Sequence, residues 1–123
     1  MGPAELATAS LVEVFSERDP EARRAAIARV FAEDVEFSDP EGQVVGREAL
    51  DAKVQALLDD APDLVFTQDG PARTSQDLGM LRWSLGPPGG PAVVSGTDVV
   101  IVRDGRVATL HTLLELPEEP AQG

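Results

Sequence analysis

The strongest strand pattern lies near the C-terminal end of the chain, where apolar residues run with few polar interruptions. Val93 to Glu115 reads as two β-branched runs joined by Asp104-Gly105. A type I′ turn needs φ > 0 at both central positions, and Asp-Gly satisfies that, so the pattern predicts one long β-hairpin. With a two-residue turn, Arg103 faces Arg106 and Val102 faces Val107. Counting outward two at a time, Val100 faces Thr109 and Asp98 faces His111. Directly opposed side chains share a face, with Cβ atoms roughly 5 Å apart. The spacing thus sets the single histidine of the chain across from an aspartate in an otherwise apolar hairpin.

Upstream the period is helical. Leu6, Ala9, Leu11 or Val12, and Phe15 recur at the spacing of a helix over Glu5 to Arg18. Asp19-Pro20-Glu21 is a restart: Asp19 can cap, Pro20 suits the first turn and Glu21 complements the macrodipole. That second helix is expected to run to about Ala32, with Ile27, Val30 and Phe31 as its stripe. Val35 to Ser38 alternates as a short strand ending at Asp39-Pro40, and Glu41-Gly42 is a turn. Gly46-Arg47-Glu48 opens a third helix with the stripe Leu50, Val54, Leu57 and Leu58, stopped by Pro62. Beyond it the period becomes two. Leu64 to Thr67 is a strand broken by Asp69-Gly70-Pro71, and Leu78 to Leu85 is another. Gly86 to Pro91 is too rich in Gly and Pro to hold a ladder.

Three helices followed by mostly antiparallel strands form an α+β pattern. A chain of 123 residues is expected to be one domain, 1–123, with Pro117 to Gly123 as a polar tail. The formal net charge of −12 lacks the basic footprint that nucleic-acid binding needs. The same charge favours a soluble cytoplasmic protein, and no apolar run approaches a membrane span. There is no cysteine, and one histidine without a carboxylate cluster predicts no metal site. The hairpin strands are apolar on both faces. One face is expected to cover the helices and the other to meet a second copy of the same sheet, as a homodimer.

Candidate chemistry centres on Asp98. Held among apolar groups, a carboxyl has its charged form disfavoured, as a general acid or oxyanion donor requires. His111 opposite would be a partner or base whose tautomer the carboxylate fixes; a plain buried hydrogen bond between the two is the structural alternative. Asp39 stands at a strand end, although Asp-Pro is also a common turn opener. Trp83, the one tryptophan, shares the Asp98 face if Leu85 pairs with Ala92, which would set it opposite Val94 as a wall for a flat ligand. Phe15, Phe31, Phe37, Val100 and Leu114 are the other wall candidates, and are otherwise core.

Two stretches carry a family resemblance. They are Phe31-Ala32-Glu33-Asp34-Val35-Glu36-Phe37-Ser38-Asp39-Pro40 with Gly46-Arg47-Glu48-Ala49-Leu50, and Gly96-Thr97-Asp98-Val99-Val100 with Asp104-Gly105-Arg106-Val107. The chain resembles the nuclear transport factor 2-like superfamily, most closely its SnoaL-like polyketide-cyclase and ketosteroid-isomerase branches. The resemblance implies a cone-shaped fold, three N-terminal helices packed on a strongly curved, mainly antiparallel sheet. It also implies cofactor-independent acid–base chemistry of isomerase, cyclase or hydrolase type on a hydrophobic small molecule. In the isomerases the aspartate matched by Asp39 shuttles the proton, and the one matched by Asp98 is a neutral acid on the substrate oxygen. They also use a tyrosine from the first helix; this chain has none, and Leu11 and Phe15 stand near that place. The alternative is a non-catalytic ligand-binding or dimeric interaction module of the same fold, since folds of this kind host several functions.

Overall fold

The computed structural model describes residues 1–115; the expected tail at Pro117 to Gly123 lies outside them. The chain begins with α1 (Pro3–Ala9), which runs on as a π-helical segment, Ser10–Phe15. The segment closes with Ser16 N–H donating to Leu11 O at 3.0 Å, a bond five residues back. The first helix is therefore shorter than the spacing predicts, because its last turns are wider than those of an α-helix. Helix α2 (Pro20–Val30) starts as expected: Asp19 accepts from Ala22 N–H at 2.9 Å, and Pro20 sits in the first turn. It ends two residues earlier than expected, as Phe31 is already extended and opens a strand. Helix α3 covers Arg47–Asp60, with Leu50, Val54 and Leu58 buried.

The strands are β1 (Phe31–Asp39), β2 (Gly42–Val45), β3 (Val65–Gln68), β4 (Arg73–Ser75), β5 (Leu78–Gly86), β6 (Val94–Arg103) and β7 (Arg106–Glu115). They form one curved sheet in the order β2-β1-β7-β6-β5-β3, with β4 also on β5. Every pairing is antiparallel except β1 with β7. The sequence pattern missed β2 and β4. Both are short and exposed, so neither has the buried face that produces a readable alternation.

The inner sheet face and the helices share one core. Leu6, Val14, Ile27, Phe31, Leu50, Val54, Leu81, Val100 and Leu110 are fully buried in it. One cation is buried with them. Arg23, 1% exposed, donates to Asp51 Oδ1 at 2.6 Å, to Glu17 O at 2.8 Å and to Gln55, tying α2 to α3. A buried charge persists only with such partners around it.

The turn between β6 and β7 is the expected one: Asp104 and Gly105 have φ of 52° and 77°. Arg103 pairs with Arg106 and Val102 with Val107. The next pairing outward is Ile101 with Thr109, so Ala108 is an extra residue on β7, a β-bulge. Every later pair is displaced by one. Asp98 faces Thr112, and His111 faces Val99. The expected Asp98–His111 opposition is thus overturned, because a one-residue slip sends a side chain to the other face of a sheet.

Candidate functional site

A cavity of about 260 Å³ opens between the inner sheet face, the π-helical segment and the turn after β1. Its walls are mostly apolar: Leu11 and Phe15 from the π segment, Phe37 from β1, Phe66 from β3, and Trp83 and Leu85 from β5. The aromatic rings touch in sequence. Phe37 and Phe15 have centroids 5.9 Å apart, Phe15 and Phe66 6.4 Å, and Phe66 and Trp83 5.3 Å, the last two edge to face. Edge-to-face contacts of this kind fix ring orientation beyond simple area burial.

Asp98 enters this apolar surround from β6 and is 4% exposed. Its Oδ1 accepts two hydrogen bonds, from Trp83 Nε1–H at 2.9 Å and from Thr112 Oγ1–H at 2.8 Å. Among the described residues Oδ2 accepts none. Burial pushes the carboxyl up from 3.8 to about 6, against the opposing pull of the bonds from Trp83 and Thr112. Both donors are placed by register. Trp83 lies two pairs along the ladder from Asp98, opposite Gly96 and so diagonal to the carboxyl on the same face, and Thr112 lies directly opposite. A Cβ at position 96 would come within 2.4 Å of the Trp83 ring. Glycine there lets the indole lean across β6 towards the carboxylate.

Asp39 and Glu41 line the mouth of the cavity. Asp39 Oδ1 accepts from Glu41 N–H at 2.9 Å, which shapes the turn into β2. The chain's one lysine reaches them from α3: Lys53 Nζ is 2.5 Å from Glu41 Oε1 and 3.3 Å from Asp39 Oδ2. Its ammonium pKa is raised, chiefly by the hydrogen bond to Glu41.

The structure therefore brings Asp39, Asp98, Phe15, Phe37, Trp83 and Leu114 to one cavity. His111 is not among them. It is exposed on the outer sheet face, beside Ser38 and Leu113. Phe31 and Val100 are fully buried core and do not line the cavity. Trp83 keeps the Asp98 face but stands opposite Gly96, because Leu85 pairs with Val94 rather than Ala92. Phe66, Thr112 and Lys53 are cavity or mouth groups that the sequence pattern did not single out. Phe66 was readable, since it shares its strand face with Leu64. Thr112 was hidden by the bulge, and Lys53 carries no local signal. Among the described residues no three His, Cys, Asp or Glu side chains come together as a metal site. No described helix is long and apolar enough to cross a membrane.

A family model for the SnoaL-like domain matches residues 9–110. The chain belongs to the SnoaL-like family. Solved structures agree with this SnoaL-like fold. A candidate isomerase of the family from Agrobacterium tumefaciens is 27% identical, with a TM-score of 0.85 over 92% of this chain and 97% of that one. A candidate ketosteroid isomerase from Kribbella flavida is 21% identical, with a TM-score of 0.75 over 98% of this chain and 83% of that one. A candidate polyketide cyclase from Sinorhizobium meliloti is 22% identical, with a TM-score of 0.70 over 88% of this chain and 93% of that one. No curated protein significantly matches the sequence. On the SnoaL-like scaffold, Asp98 lies on the long sixth strand and Asp39 at the end of the first, so two carboxyls of unlike surroundings meet one apolar space.

Proposed function

We propose that this SnoaL-like protein is a small cofactor-independent enzyme doing acid–base chemistry on a hydrophobic molecule in a conical pocket. The observation that carries it is Asp98, buried in an apolar cavity with one carboxyl oxygen unengaged by the described residues. Asp39 is the base and Asp98 the acid. In an isomerase-type turnover, Asp39 takes a proton from a carbon beside a carbonyl, and the electron pair moves onto the carbonyl oxygen. The proton on Asp98 Oδ2 holds that oxygen, and Asp39 returns its proton to another carbon of the conjugated system. A water-poor site makes such a hydrogen bond worth more than it would be in water. Trp83 and Thr112 orient the acid by occupying its other oxygen.

Asp98→Asn and Asp39→Asn are expected to cut turnover of β,γ-unsaturated ketones by roughly 10²-fold or more while leaving the fold intact. Full activity in both variants on a substrate turned over by the wild type would overturn the assignment.

A second reading, a binder without turnover, is favoured by one observation: the chain has no tyrosine, and its first helical stretch offers the cavity only the apolar Leu11 and Phe15. Native mass spectrometry against a lipid and polyketide panel separates the two, since a binder gives complexes and no product. Under either reading we place the protein in the cytoplasm as a homodimer joined through the outer sheet face. Leu113, 60% exposed, supports that, beside the half-buried Val99 and Ile101 of β6. A strict monomer by light scattering at micromolar concentration would remove the dimer.

A further inference from the structure

We propose that the Asp98 cavity also receives compact apolar ammonium ions, with a ligand N–H on Asp98 Oδ2 and the apolar body against Trp83, Phe66 and Phe15. The inference rests on the same cavity as the function above and concerns the charge of what enters it.

Three carboxylates line the cavity: Asp39, Glu41 and Asp98. Lys53 already serves the first two, through contacts of 3.3 and 2.5 Å. Among the described residues Asp98 has no cationic partner. Its neighbours are neutral donors, the indole of Trp83 on β5 and the hydroxyl of Thr112 on β7, both on Oδ1. Other charges that face the cavity come only from the turn after β1 and from Lys53 on α3, among the described residues. Arg82 points to the opposite sheet face, where it pairs with Glu115 at 2.8 Å. The π-helical segment contributes the uncharged Leu11 and Phe15.

A buried carboxylate lacking a counter-ion is unfavourable, and an ammonium N–H on its open oxygen relieves that directly. Aromatic walls add cation–π attraction, which grows where water is excluded. Four of the lining residues are aromatic: Phe15, Phe37, Phe66 and Trp83. The protein's net charge of −12 draws cations towards the mouth and repels anions. Size sets the last limit. A cavity of about 260 Å³ holds roughly nine groups the size of water, which is room for a one-ring amine.

Trp83 is the only tryptophan and touches Asp98, so its fluorescence reads the site without a label. The probes are benzylamine, benzyl alcohol and benzoate, which share one frame and differ in charge. At about pH 8 benzylamine is expected to bind about tenfold more tightly than benzyl alcohol, with benzoate silent. At about pH 5, where Asp98 carries a proton and benzylamine stays charged, the preference should disappear. Asp98→Asn should keep the alcohol response and lose the amine preference. Should that variant fail to fold, the wild-type comparison at the two pH values still decides. Benzyl alcohol binding as tightly as benzylamine at about pH 8 would overturn the proposal, as would an amine response independent of pH or no response at all. Turnover of a ketone is a separate readout. Its absence would remove the enzymatic reading and leave amine binding standing, and the converse holds equally.

Discussion

Trp83 Nε1–H donates to Asp98 Oδ1 across 2.9 Å, from a position diagonal to it on the neighbouring strand. The bond ties the chain's one tryptophan to the carboxyl that its own ring helps to shield. Trp83→Phe keeps an aromatic ring but removes the donor. A buried hydrogen bond to a charged group, lost in this way, costs about 1–3 kcal/mol. Urea unfolding should show that loss. The Asp98 carboxyl should also titrate higher than in the wild type, because one of its two lowering contacts is gone.

Gly96 is what lets that indole lean over. Its φ needs no glycine; the space does, since an added Cβ would meet the ring at 2.4 Å and Leu113 O at 2.8 Å. Gly96→Ala is expected to destabilise the fold by about 1–3 kcal/mol through overpacking. The displaced indole should also change its emission, so unfolding and fluorescence together distinguish this from a general loss of packing.

Asp98 makes stability depend on pH with a definite sign. Its folded-state pKa of about 6 lies above the ordinary 3.8, so the native protein holds the proton more tightly than the unfolded chain does. The contribution is complete below about pH 4 and is lost as pH rises through about 6, a change on the order of 2–3 kcal/mol. Asp98→Asn has no such titration. Between about pH 4 and pH 8 the variant should gain on the wild type by that amount in paired urea unfolding, where the other groups cancel. A constant difference would contradict the burial of the charge.

His111 lies on the outer face, so His111→Gln should leave the Asp98 titration and the pH profile of kcat/KM unchanged. The alkaline limb of that profile should fall near pH 6, where Asp98 loses its proton. A shift of that limb in His111→Gln would restore the histidine to the site.

Much of this architecture can be read from local chemistry. Asp19-Pro20, Gly46, Pro62 and Asp104-Gly105 each mark a boundary that the structure keeps within a few residues. The hairpin turn is the plainest case, because only residues tolerant of φ > 0 can make it. The site is less legible, chiefly because of the bulge at Ala108. No glycine marks it. The available clue was that Val107 and Leu110 are both apolar, which strict alternation would put on opposite faces. A strand that buries both must carry an extra residue between them. Without it, strict alternation sets His111 inward and Thr112 outward and gives Asp98 the wrong partner. Lys53 was unreadable for a different reason. Its contacts with Asp39 and Glu41 span 14 and 12 positions of sequence and depend on how α3 packs over the β1–β2 turn.

The most direct measurement is a ¹³C titration of the Asp98 side-chain carboxyl, assigned by its absence in Asp98→Asn. A midpoint near pH 6 is expected, as for a carboxyl shut in an apolar cavity with only two neutral donors. A midpoint at or below the ordinary 3.8 would mean that the group is solvated or paired with a cation, and its role as the acid would fail.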